Sequence, residues 1–143
     1  MRSLLASVFA ILLATFGIAT AHAADGPVKV VYHMVEGVDQ ASRGLANIRN
    51  HLAADPTAKI IVVSHGKGID FLLEGAKDGS GQGFEARIAA LANQGVDFRV
   101  CRNTLEVRKI DESKVVQEAK IVPSGVAEVA KLQFKEGYAY LRP

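Results

Sequence analysis

The strongest constraint on the fold is an alternation. Runs rich in β-branched residues, "VKVVYHMV" (28–35), "KIIVVSH" (59–65) and "VDFRVC" (96–101), are separated by segments of helical spacing. These runs are apolar at nearly consecutive positions, which suits strands covered on both faces. Between the first two, Ala41, Leu45, Ile48 and Leu52 fall on one helical face, with Asp39 placed to cap the start and Pro56 to stop the helix. Between the second and third, Phe84, Ile88 and Leu91 repeat that spacing, and Gly95 supplies a left-handed C-cap. "RNTLEVRKI" begins a helix or turn, and a shorter strand is expected around Ile121. Ser124 caps a last helix over 126–135, and "YAYLRP" reads as a final strand. Strand and helix in regular turn predict an α/β fold, a three-layer sandwich with a mostly parallel sheet and helices on both faces.

The first residues stand outside that pattern. Arg2 is followed by an apolar run, Leu4 to Ile18, broken only by Ser7, Thr15 and Gly17, and then by Ala21-His22-Ala23. A positive start, an apolar stretch and small residues at a cleavage point make up a secretory signal peptide. The expectation is a leader over 1–23 and a single domain over 24–143, located in the periplasm, with no membrane span once the leader is removed. A domain of that size buries a core without disulfides, and with Cys101 as the only cysteine it has none to form. Loss of Arg2 takes the 17 basic residues to 16, against 15 acidic ones. So even a balance lacks the clustered basic footprint of a nucleic-acid binder.

The polar punctuation falls where a parallel sheet puts its chemistry, at the carboxyl ends of the strands. His33 lies near the end of the first strand. Ser64, His65, Gly66, Lys67 and Gly68 follow the second, and Cys101, Arg102 and Asn103 follow the third. Cys101 sits at a strand end before a possible helix start, where free backbone N–H groups favour an anion, and Arg102 flanks it. Such surroundings lower a thiol's pKa and make it nucleophilic. A buried cysteine that merely fills space is an equal reading of the same residue. "SHGKG" is an anion nest in outline, although it matches no nucleotide-binding motif. His33, His65 and Cys101 are three dispersed metal-ligating types, but no metal-ligand spacing appears, and the expectation is no metal and no cofactor.

Four pieces, "VVYHMVEGVDQASRGLANIRNHLAADP", "IIVVSHGKGIDFLLEG", "GVDFRVCRNTL" and "VPSGVAEVAKLQFKEGYAYLRP", cover nearly all of the domain in order. In them the chain resembles the DsrE/DsrF-like family, and in particular its small exported members. The block V-x-F-x-V-C-x-N-T-L and the ending "GYAYLRP" are the most specific parts. The resemblance implies a flavodoxin-like sandwich that assembles into homotrimers or hexamers, with sulfur carried as a persulfide on the cysteine after the third strand, here Cys101. In that role Arg102 steadies the anion and His65 moves protons, while His33, Ser64, Gly66, Lys67, Gly68 and Asn103 complete the rim. A sulfur donor or acceptor protein is the implied partner. The contrasting reading is a non-catalytic oligomeric module that binds a small anion or a partner protein, with Cys101 structural. "IDFLLEG" (69–75) and "YAYLRP" are the expected contact surfaces for assembly.

Overall fold

The computed structural model describes residues 26–143, and the expected leader lies outside them. The elements follow in the order β1 (Lys29–Met34), α1 (Val38–Ala54), β2 (Lys59–Ser64), α2 (Glu85–Asn93), β3 (Asp97–Cys101), α3 (Arg102–Arg108), β4 (Ala119–Val122), α4 (Gly125–Glu136) and β5 (Ala139–Leu141). Short 3-10 turns occupy Gly66–Leu72 and Glu112–Lys114. The five strands lie in the order β4-β3-β2-β1-β5, and every pairing is parallel. The chain steps outward from β1 to β4. It then crosses back over the sheet through α4 and lays β5 on the other side of β1.

Alternation along each strand divides the sheet into two faces. Val30, Tyr32, Met34, Ile60, Val62, Phe98 and Val100 join the larger core with Leu45, Ile48 and Leu52 of α1 and Ile88 and Leu91 of α2. Val31, Ile61 and Val63 face the other way, against Val129 and Leu132 of α4. The second layer is therefore thin. Along its outer side α4 leaves Val126, Ala130 and Phe134 in solvent, with Phe134 91% exposed.

Two local expectations change. The segment "IDFLLEG" is not a contact surface: Ile69, Phe71 and Leu72 are wholly buried, and Phe71 meets Phe84 and Phe98 edge-on with centroids 5.8 and 6.3 Å apart. The 3-10 turn after β2 folds back over the end of β1, and at Gly68 a side chain would run into the Met34 carbonyl. Asp39 does not cap α1. The N-cap is Gly37, in a left-handed conformation (φ 101°) without a side-chain bond. The buried Gln40 does the polar work instead: its Oε1 accepts from the Val35 and Glu36 N–H groups at 2.7 and 2.8 Å. Its amide nitrogen donates to the carbonyls of His33 and Pro143. The ends of α4 are as expected. Ser124 Oγ accepts from Ala127 N at 3.4 Å, and Gly137 closes α4 in the left-handed region (φ 72°).

Candidate functional site

β2 and β3 end side by side. Ser64 is paired with Val100, so His65 and Cys101 come next along the same row. Both point to the α4 face, because a Cβ placed on Gly125 would lie 3.1 Å from His65 Cβ and 3.2 Å from Cys101 Cβ. Only glycine lets the first turn of α4 come this close. Cys101 is 4% exposed, at the floor of a cleft of about 330 Å³ lined by His65, Gly66, Asn103, Thr104, Val107, Arg108, Ser124 and Val126.

The last residue of β3 is also the N-cap of α3. This places the sulfur opposite the first free amides of that helix, while the first amide of α4 arrives from the other side. The thiol is thus pulled two ways. Burial, the largest influence, pushes its pKa up. Bonds from the Gly125 N–H, the Thr104 hydroxyl, the Thr104 N–H and the Asn103 N–H pull it down and prevail, so the pKa lies below that of an ordinary thiol. The Cys101 side chain itself makes no cap hydrogen bond at this helix start. The Thr104 hydroxyl in turn accepts from Gly66 N at 3.0 Å. Gly66 is held at its carbonyl by Arg108 at 3.1 Å, and the same guanidinium donates to Asp70 at 2.6 Å.

The two arginines nearest Cys101 in sequence are committed elsewhere. Arg102 pairs with Glu112, with both side chains nearly half exposed. Arg99 bridges Asp97 and Glu128 beneath α4. The sulfur is therefore surrounded by neutral donors. His33 lies beyond His65, with ring centroids 4.8 Å apart, and its Nδ1 is 2.8 Å from the Tyr140 hydroxyl. Burial, then the neighbouring His65 and Arg142, lower the His33 pKa to about 4. Burial and then Arg142 lower that of His65. Both rings are thus neutral at neutral pH, and each keeps a buried Nε2 with no hydrogen-bond partner among the described residues.

Of the residues singled out in the sequence, the cleft gathers Cys101, His65, Gly66 and Asn103. His33 stands one ring further along the rim. Ser64 is fully buried and alternates to the opposite side of the sheet. Lys67 is exposed beside the Gly37 turn, and Gly68 is pressed on β1. Thr104, Arg108, Ser124 and Gly125 were not singled out for the site. A signal existed for two of them, Ser124 and Gly125: "PSG" marks a helix start beyond a strand. Among the described residues no group of three or more His, Cys, Asp or Glu is arranged to hold a metal, and no helix is long and apolar enough to cross a membrane.

A family model described as the DsrE/DsrF-like family matches residues 14–143. The fold is similar to that of MTH1491 from Methanobacterium thermoautotrophicum, a protein of unknown function, with a TM-score of 0.72 and 28% identity over 81% of this chain and 99% of that one. It is also similar to that of the ychN protein from E. coli, with a TM-score of 0.65 and 14% identity over 82% of this chain and 99% of that one. No curated protein matches the sequence.

Proposed function

The chain belongs to the DsrE/DsrF-like family, which is associated with sulfur relay, and on that premise we propose that it carries sulfur on Cys101. The observation that supports this most is the convergence of neutral donors from two helix starts on the one thiol, at the floor of a cleft. In the proposed step the Cys101 thiolate attacks the outer sulfur of a persulfide or hydropolysulfide. A bond forms between Sγ and that sulfur, the donor's sulfur–sulfur bond breaks, and the donor leaves as a thiolate that takes up a proton from water. Delivery is the same exchange in reverse order: an acceptor thiolate attacks the outer sulfur and Cys101 leaves as thiolate. No net oxidation occurs and no cofactor enters. A lowered pKa serves both halves, as a larger thiolate fraction in the attack and a better leaving group in the release.

With Cys101 as the chain's only cysteine, no internal thiol resolves the persulfide, and the acceptor belongs to a partner protein or small molecule. The proposal includes export to the periplasm, on the pattern of residues 1–23, and assembly into a homo-oligomer. The contrasting reading, an oligomeric binding module with a structural cysteine, draws its support from the near-complete burial of Cys101. Cyanolysis separates the two. Wild-type protein treated with hydropolysulfide and desalted should release thiocyanate on addition of cyanide, about one per chain, and Cys101→Ser should release none. Equal release from both proteins, or from neither, would favour the binding module.

A further inference from the structure

We infer that the Cys101 cleft selects its donor by charge: it admits sulfane sulfur on an uncharged, apolar carrier and refuses an oxyanion donor such as thiosulfate. The inference rests on the reading of Cys101 as a sulfur-accepting thiolate and names the class of donor that reaches it. The residue is 4% exposed, so a donor must enter the cleft and leave its water behind. A charged group that does so needs a countercharge inside. The cleft has none to spare. Apart from Cys101 and His65, Arg108 is the one ionisable residue in its lining. That guanidinium is taken up by Asp70 at 2.6 Å and the Gly66 carbonyl at 3.1 Å. His65 is held neutral by burial and by Arg142, and Arg142 in turn pairs with Glu36. Arg102 and Arg99 are paired with carboxylates, and Lys67 lies beside the Gly37 turn, outside the lining. The thiolate's own charge repels a second anion at short range. Hydropolysulfide passes because it can enter protonated, as an uncharged sulfur chain, whereas thiosulfate is a dianion at neutral pH. The mouth is apolar: Val107 of α3 and Val126 of α4 line it and are 82% and 62% exposed. Among the described residues six large apolar side chains are exposed, and two of the six meet at this one cleft. Exposed apolar surface gathered at a cleft marks a contact for an apolar group, which makes Val107 and Val126 the residues that set the donor class.

The experiment compares two methanethiosulfonates, which pass a pentylthio or a sulfonatoethylthio group to the Cys101 thiolate and both release methanesulfinate. The leaving group is shared and the entering chains are similar in length, so the rates differ through charge. Each rate is measured on the full chain, folded and in urea, and the pentyl-to-sulfonate ratio cancels the thiolate fraction. Folding should raise that ratio roughly tenfold, the low end of the cost of burying an unpaired polar group. Val107→Lys and Val126→Lys should each speed the sulfonate reagent about fivefold, the effect of one opposite charge at about 4 Å in water, and slow the pentyl one. Val107→Glu should not speed the sulfonate reagent, and circular dichroism checks each fold. Folded wild type with the ratio of the unfolded chain overturns the proposal. So do lysine variants no faster with the sulfonate reagent than wild type, or a glutamate variant as fast as lysine. Intact mass should show sulfur gained from hydropolysulfide and none from thiosulfate, and equal gain from both also overturns it. The two ideas stay separable on the same samples. Charge-selective labelling without sulfur uptake removes the sulfur reading alone, and uptake with labelling that ignores charge removes the selection alone.

Discussion

A thiol held to 4% exposure resists ionisation, since a buried anion loses its water. Cys101 is ionised more easily than a free thiol because amides and a hydroxyl replace that water. Arg102 has little part in this, as its guanidinium is spent on Glu112. Arg102→Ala should therefore leave the pH dependence of iodoacetamide alkylation within about 0.3 of a unit of wild type, as for a surface pair of small effect. A rise near one unit would show that the cation reaches the sulfur. The sequence showed the thiol and the strand end that presents it. The donors were hidden, because backbone N–H groups have no letter of their own and Gly125 lies 24 positions along the chain from Cys101. The histidines permit a second prediction. His33 titrates near 4 in the folded chain, against 6.5 when free, and His65 is lowered too. The unfolded chain therefore takes up protons first as pH falls. The contribution of His33 to stability is complete above about 6.5 and is lost progressively as the pH falls through about 4. Urea midpoints should fall across that window, and His33→Gln should flatten the fall. An equal fall in the variant would assign it to other groups.

At the scale of elements, the site depends on how closely α4 approaches the ends of β2 and β3. Gly125 is the point of closest approach, and a methyl group there would sit at 3.1 Å from His65 Cβ and 3.2 Å from Cys101 Cβ. Gly125→Ala should push the start of α4 outward, at a cost of about 1–3 kcal/mol by overpacking. It should also raise the thiol pKa by drawing off the Gly125 amide. Thermal unfolding together with thiol titration checks both, and a variant as stable and as reactive as wild type would show that the helix start is not needed. Elements with a clean period were readable in advance: the β-branched runs of β1, β2 and β3, and the 3.6-residue spacing of α1 and α2. The 3-10 turn after β2 was not, since a short apolar run looks the same whether it will be interior or interface. Nor was the use of Gln40 in place of Asp39, because a buried glutamine serves a chain end that arrives 103 residues later at Pro143.

At the scale of the molecule, five parallel strands have α1, α2, α3 (through Leu105) and a 3-10 turn on one face but α4 alone on the other. That helix keeps an apolar stripe, Val126, Ala130 and Phe134, in solvent, and the edge strand β5 exposes Tyr140 and Leu141. Exposed apolar surface of this kind is characteristic of assembly. The chain should scatter light as a homo-oligomer, a trimer or a multiple of it, and Phe134→Asp should reduce its mass. A wild-type monomer at micromolar concentration would contradict this. The central claim is narrower and concerns one sulfur atom. Intact-mass measurement of the folded chain after exposure to hydropolysulfide tests it most directly. Wild type should gain the mass of one sulfur atom, lose it again to an added thiol, and Cys101→Ser should gain nothing. A wild-type mass that never changes, with a thiol that titrates at the ordinary value of about 8.5, would contradict it.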